Sequence, residues 1–191
     1  MFDVDLNIHR QLNANDVLVS EPFLGDANFD RSVILVCEHQ LKGSFGLILN
    51  RPTETMLSEA LEWPHMHDFA IFSGGPVERN SLYFIHSLPE VSHSLPLRNG
   101  LYLGGEFDTI RELASEGKLS AENCRFFAGY SGWGEKQLDE EIERDAWIIA
   151  KNVDLSQLLR MPTDNMWRDV LRSMGGRYRI FSHYPEDPQL N

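Results

Sequence analysis

Only two of the 191 residues are cysteine, and Cys37 and Cys124 sit far apart in apolar runs without CxxC spacing. That pattern argues against a disulfide-stapled scaffold or a thiol redox pair, and predicts buried free thiols in a reducing compartment. No uninterrupted apolar stretch approaches the roughly 20 residues of a membrane span, so no membrane association is expected. The opening MFDVDLNIHR carries early acids and no apolar signal core, which predicts a cytoplasmic protein. Positive charge is also scarce: 17 Lys and Arg stand against 29 Asp and Glu, a formal net charge of −12. Such a surface repels nucleic acid and anionic lipid unless its cations are gathered in one place. Internal repeats, low-complexity linkers, GxGxxG and P-loop patterns are absent too.

What remains is an ordinary globular composition, 42% hydrophobic and 24% charged, long enough to bury a sizeable core as one domain over residues 1–191. The chain is organised around residues 25–62. Two apolar runs, Val33–Cys37 and Phe45–Leu49, flank the polar link Glu38–Ser44 with its Gly43, and predict an antiparallel hairpin with a loop longer than two residues. The second run stops at Asn50-Arg51-Pro52, because Pro52 has no N–H for a ladder. Met56, Leu57, Ala60 and Leu61 then share a helical face, with Thr55 as N-cap.

The rest of the chain interleaves strands and helices, which predicts a mixed α/β unit of the α+β class. Residues 1–16 read as a polar, loosely packed lead-in, and Val17–Val19 as a first strand. Further strands are expected at Phe69–Phe72, Ser81–Leu88, Leu101–Leu103, Cys124–Tyr130, Ala146–Ala150 and Tyr178–Phe181. Between them GGPVERN reads as a hairpin-like connection and SGWG as a turn. Helices are expected over Phe107–Lys118 with Asp108 as cap, Glu135–Arg144, Asp154–Arg160, and from Thr163 or Asp164 to Gly175-Gly176. The last carries the clearest apolar stripe: Met166, Trp167, Val170, Leu171 and Met174.

Several of these stretches form a familiar set: LVSEPFLGDANFDRSVILVCEH, GSFGLILNRP, SGGPV, GYSGWGEKQLDEEI, AWII and DNMWRDVLRSMGG. Their order and spacing, over nearly the whole chain, resemble the AlgH/YqgE family of bacterial proteins. The resemblance implies a single α+β domain whose bifurcated mixed sheet is bent into a pseudo-barrel, with helices packed outside. It implies a cytoplasmic protein without an established biochemical role, although part of the family bears a transcriptional-regulator label connected with alginate production. It carries no agreed catalytic or binding residues onto this chain.

Gly129-Tyr130-Ser131-Gly132-Trp133-Gly134 invites comparison with a nucleophile elbow, with Asp145 or Asp169 and then His183 as partners in chain order. The pattern fails at Trp133, where a glycine is wanted, so a tight turn with an anchoring Trp is the expectation. Cys37 with His39, and His65 with His67, are too few and wrongly spaced for tetrahedral zinc, and neither a metal nor a cofactor is expected. His86 reads as a partly buried, hydrogen-bonded strand residue. Gly104-Gly105 and Gly74-Gly75 read as turns. The acids of Glu135–Asp145 read as a solvated helix face. Five arginines at 160, 168, 172, 177 and 179 sit on a segment that superficially imitates a helix-turn-helix, but the net charge opposes direct DNA binding.

The function predicted is therefore a non-enzymatic regulatory or interaction protein, acting through a protein or small-molecule partner. The alternative is an enzyme or binding protein for a small molecule at the strand ends. A candidate pocket follows from three turns after strand ends: Asn50-Arg51, Gly74-Gly75 and Ser131-Gly132-Trp133. The helix-containing connections between 45–49 and 69–72, and between 101–103 and 124–130, favour parallel strands within each pair but leave the relative direction of the two pairs open; if both point the same way, the three turns gather at one edge. Arg51 would supply charge, the glycines close approach and Trp133 an apolar wall.

Overall fold

The structure, a computed structural model, describes residues 11–61, 63 and 69–185. The strands are β1 Val17–Ser20, β2 Val33–Gln40, β3 Gly43–Ile48, β4 Pro52–Met56, β5 Ala70–Ser73, β6 Val77–His86, β7 Leu95–Pro96, β8 Tyr102–Leu103, β9 Cys124–Trp133 and β10 Trp147–Ala150. The helices are α1 Leu57–Leu61, α2 Phe107–Ser115, α3 Gln137–Glu143, α4 Leu155–Arg160, α5 Met166–Met174 and α6 Gly176–Phe181.

The main ladder runs β10-β1-β2-β3-β9-β6-β8-β7, and β4 and β5 branch from it. The branch point is β9. Its Ser131–Trp133 end pairs antiparallel with Ser44–Gly46 of β3, while its Phe126–Ala128 stretch pairs parallel with Ile71–Ser73 of β5. One edge of one strand thus serves two neighbours in succession, and this fork is what bifurcates the sheet. β10 and β7 end the ladder without meeting, so the sheet is not closed into a barrel.

Period-two alternation sorts the strand residues onto two faces. Val17, Val19, Val33, Leu35, Leu47 and Ile148 join one core, closed by Leu155 and Leu158 of α4 and the stripe of α5. Their neighbours Leu18, Ile34, Ile48 and Trp147 join a second, covered by Leu138 and Ile142 of α3. A third core gathers Ile71, Phe84, Cys124 and Phe126 under α1 and α2. Both thiols are buried and free, and they belong to different cores. Burial drives the pKa of each far upward.

β2 and β3 pair antiparallel as their apolar runs predict, but tightly: Gln40 lies opposite Gly43, leaving a two-residue loop, and a bulge between Val36 and Glu38 absorbs the register. Five other local readings change. Pro52–Met56 is a strand, not a turn and cap, because Pro52 at its first position has no ladder bond to lose. The elements Val77–Asn80 and Ser131–Trp133, expected as a connection and a turn, are the ends of β6 and β9. Tyr178–Phe181 is helical, a turn of chain continued past Gly175 as α6. The cap of α2 is Glu106, without a side-chain bond, and Asp108 lies in the first turn.

The crossover argument holds for one pair only. β8 and β9 both run antiparallel to β6, so they share a direction. β3 is antiparallel to β9 and β5 parallel to it, so β3 and β5 oppose each other. The reason is β4: it intervenes before α1 and pairs antiparallel with β5, so the helix lies inside an antiparallel connection rather than a crossover.

Candidate functional site

The three expected turns do come together, at the fork of β9. The Arg51 carbonyl accepts from Ser73 N–H (2.8 Å), and the Gly74 carbonyl accepts from Ile48 N–H (2.9 Å). Ser131 Oγ also donates to the Gly74 carbonyl, at 3.0 Å. The glycines make the junction possible. A Cβ on Gly74 would stand 2.2 Å from the Gly129 carbonyl oxygen, and one on Gly75, at φ +152°, 2.3 Å from the Tyr130 backbone.

The side chains at this junction are engaged with the protein itself. Asn50 Oδ1 accepts from Val33 N–H and its Nδ2 donates to the Arg31 carbonyl, both at 2.9 Å. Arg51 donates to the carbonyls of Asn28 and Asp30. Desolvation lowers its pKa, opposed by the nearby Asp30 and Asp26. Trp133 is buried, and its indole N–H donates to Glu141 Oε2 at 2.9 Å. Ser131 lies within β9, near its end, and is fully buried, so no elbow exposes its hydroxyl.

Glu141 is the residue that sequence reasoning missed. The same Oε2 accepts from the Trp147 indole at 2.7 Å, and Oε1 accepts from Gln137 at 2.9 Å. Trp133 and Trp147 meet edge to face with centroids 5.9 Å apart, and Phe29 packs against both. One carboxylate in the acid-rich stretch is therefore a clamp between two strands, not part of a solvated face. The available signal was a Gln and a Glu four apart on a helix just after GWG.

The other candidates have plain places. His39 bonds Ser44 Oγ through Nδ1 (2.8 Å) and faces Asp139 at 3.7 Å. His65 and His67 lie outside the described residues. Among those described, no group of three or more His, Cys, Asp and Glu is placed to hold a metal ion. Arg172 pairs with Asp169 at 3.1 Å on the outer face of α5, and His183 is exposed.

A large open groove lies elsewhere, along the outer edge of β10, with which no strand pairs among the described residues. Glu21 N–H donates to the Ala146 carbonyl (3.0 Å). The alternation of an antiparallel ladder then turns the backbone groups of Ile148 toward β1 and those of Trp147 and Ile149 toward the open edge. Beside this edge runs a groove of 800 Å³, walled by Ile142 and Asp145 on one side and by Met174, Arg177, Tyr178 and Phe181 on the other. Lys151 marks one end, where it bonds Asp16 (2.6 Å) and the Gln11 carbonyl. Unpaired strand edge, apolar wall and mixed charges at the rim are the parts needed to receive an extended polypeptide.

The fold and this site define a class: a mixed α+β protein built on an open sheet that forks at one strand and, among the described residues, leaves the outer edge of another unpaired. The chain belongs to the AlgH-like family, whose pattern it matches over residues 17–179. It is 44% identical over 182 residues to a UPF0301 protein of Cytophaga hutchinsonii, covering 94% of this chain and all of that one. A UPF0301 protein of Bacteroides fragilis is 40% identical over 176 residues, covering 92% and 89%. The same fold occurs in the solution structure of the AlgH protein from Pseudomonas aeruginosa, with a TM-score of 0.72 and 24% identity over 90% of this chain and 94% of that one. It recurs in a crystal structure of a Corynebacterium diphtheriae protein, with a TM-score of 0.75 and 24% identity over 96% of this chain and all of that one. Among the described residues no helix is long and apolar enough to cross a membrane.

Proposed function

We propose that this is a non-enzymatic, cytoplasmic interaction protein of regulatory type, and that its working surface is the groove beside β10. The occupant is an extended segment of a protein partner that adds to the edge of β10. The observation that carries this reading is the outer edge of β10, with which no strand pairs among the described residues: the N–H and C=O groups of Trp147 and Ile149 point into a groove already walled by α6. Strand addition takes affinity from main-chain bonds and specificity from alternate side chains, so the segment should alternate apolar and polar residues. Direct DNA binding is no part of the proposal. The net charge is −12 and Arg172 is engaged with Asp169.

Two substitutions at one residue test it. Ile149→Pro and Ile149→Ala lose the same side chain, but only proline removes the N–H that faces the groove. Proteins that co-purify with the chain from its host are quantified for wild type and both variants, and a candidate's own segment is then titrated as a synthetic peptide. A partner that binds wild type and Ile149→Ala but not Ile149→Pro supports strand addition. Equal binding by all three chains overturns it.

A further inference from the structure

A second cavity lies on another part of the sheet, where β6 ends, β9 begins and α4 packs across. It measures 190 Å³ and is lined by His86, Asn99, Cys124, Arg125, Ser156 and Arg160 among others. A water molecule takes about 30 Å³ in the liquid, so the space suits a group of a few heavy atoms, not a nucleotide.

The groups that could do chemistry there are switched off. His86 is buried; its Nε2 bonds the Gly104 carbonyl (2.9 Å) and its Nδ1 accepts from Leu88 N–H (3.2 Å), which fixes the neutral ring. Desolvation lowers its pKa further from the charged form. The Cys124 thiol is held protonated by burial. Ser156 Oγ is spent on Asp154, the cap of α4, at 2.7 Å.

What remains active is positive charge. Arg125 sits on β9 with its guanidinium 4.5 Å from the centre of the Phe72 ring. It donates to the carbonyls of Leu49 (3.1 Å) and Leu159. Those bonds engage two of its five N–H donors. Among the described residues no carboxylate lies within 4.0 Å of Arg125 or of Arg160. Burial without a counterion lowers the Arg125 pKa to about 10. A desolvated cation with spare donors is costly until an anion meets it. Asn99, whose Oδ1 accepts from Leu155 N–H (3.1 Å), leaves its amide N–H groups as further donors on the same wall. Glu122 is the one acid on the lining, on its exposed rim.

We infer that this cavity is a binding site for a small oxyanion, the phosphate or carboxylate group of a small molecule, held by Arg125 and Arg160. The proposal is for binding alone, since both imidazole nitrogens of His86 and the Ser156 hydroxyl are already engaged within the protein. It lies apart from the β10 groove, shares no lining residue with it, and stands or falls separately.

The test is an NMR titration of the full chain with inorganic phosphate and with malonate, against sodium chloride at matched ionic strength. Saturable shifts confined to amides of 124–126 and 156–160, absent with chloride, are the expected result. The tighter of the two oxyanions identifies the head group. Arg160→Ala, at an exposed position, should weaken binding about tenfold, the loss of one charge-assisted contact, without changing Tm. Arg125→Lys keeps the charge but not the planar fork and should weaken it at least as much. Shifts that follow ionic strength alone, or equal affinity in wild type and both variants, overturn the proposal. An Arg125 that served only as a strut between Leu49 and Leu159 would move Tm and leave no anion to titrate.

Discussion

β9 and β10 use their edges in opposite ways. At the fork β9 gives one edge to β3 and then to β5, with backbone packed so closely that Gly74 and Gly75 have no room for a methyl group. At β10 the ladder stops, and a groove lies where another strand would go. The first region is rich in recognisable sequence: SGGP and GYSGWG both converge on it. The second is built from Trp147, Ile149, Met174 and Phe181; the first three fall in the AWII and DNMWRDVLRSMGG stretches, but none is a turn or glycine signal. Glycine density in this chain marks where backbones approach most closely, while the open surface is written in ordinary apolar residues.

If that comparison is correct, the fork should be the least forgiving part of the molecule. In Gly75→Ala the added Cβ meets the Tyr130 backbone at 2.3 Å, at a φ of +152° that side chains rarely adopt. Neither neighbour is a flexible side chain, so the strand pairing itself must shift. The expected loss is on the order of 3–5 kcal/mol, enough to leave little folded protein at 37 °C, read by urea unfolding. A Gly75→Ala chain with near-wild-type stability would mean that the fork is looser than the contact implies.

The tryptophan clamp comes next. Glu141→Ala leaves the indole N–H groups of Trp133 and Trp147 without their shared acceptor. An orphaned buried donor costs about 1–3 kcal/mol, and the half-buried position admits some water, so a loss of about 2 kcal/mol is expected. Glu141→Gln keeps one acceptor oxygen and should lose about half as much. Tryptophan fluorescence during denaturant unfolding reads both.

How much of this was legible in the sequence differs by region for physical reasons. The β2–β3 hairpin and α5 were readable because burial on one face imposes a period, 2 or 3.6, on the residues themselves. Asp154 was readable as a cap because its carboxylate has a local task, accepting from Ser156 N–H at 3.0 Å. Ser131-Gly132 was misread because glycine signals both a turn and a close approach. Here a Cβ on Gly132 would lie 2.8 Å from the Tyr130 ring, so packing and not chain reversal selects it. The meeting of Asn50, Gly74 and Ser131 was anticipated, but their engagement with carbonyls and N–H groups depends on contacts 17 to 57 residues away in sequence. The strand and the helix that wall the β10 groove were readable, but their meeting across an open edge was not, because no local pattern records which edge of a strand goes unpaired.

A milder effect tests the interior on the far side of the fork. His86 is buried with its neutral ring hydrogen-bonded at both nitrogens, and desolvation lowers its pKa in the folded chain. Above the unfolded value of about 6.5 both states are neutral and this residue adds no pH dependence. Below it the unfolded chain takes up a proton that the folded chain resists, so stability falls with falling pH until the folded pKa is passed. Carboxylates add their own slope at lower pH. The comparison is therefore between wild type and His86→Gln from pH 7 to 5, where the variant should show the shallower decline. Equal slopes would place the acid sensitivity outside this histidine.

The smallest expected effect lies at the open edge, and it completes the contrast with Gly75. Ile149 is half-buried against the α3-side core, so either replacement forfeits part of a side chain's packing, about 1 kcal/mol. Beyond that shared loss, Ile149→Pro and Ile149→Ala should differ by no more than about 0.5 kcal/mol, since proline is tolerated on an edge strand whose N–H faces outward. A proline in the interior of β9, which is paired on both edges, would remove an N–H that a ladder bond uses. At β10 it removes only a donor that the folded chain does not use. Urea midpoints for the two Ile149 variants measure this directly. If proline costs several kcal/mol more than alanine, the Ile149 N–H is already bonded within the chain, and the edge that gives the groove its function is not free.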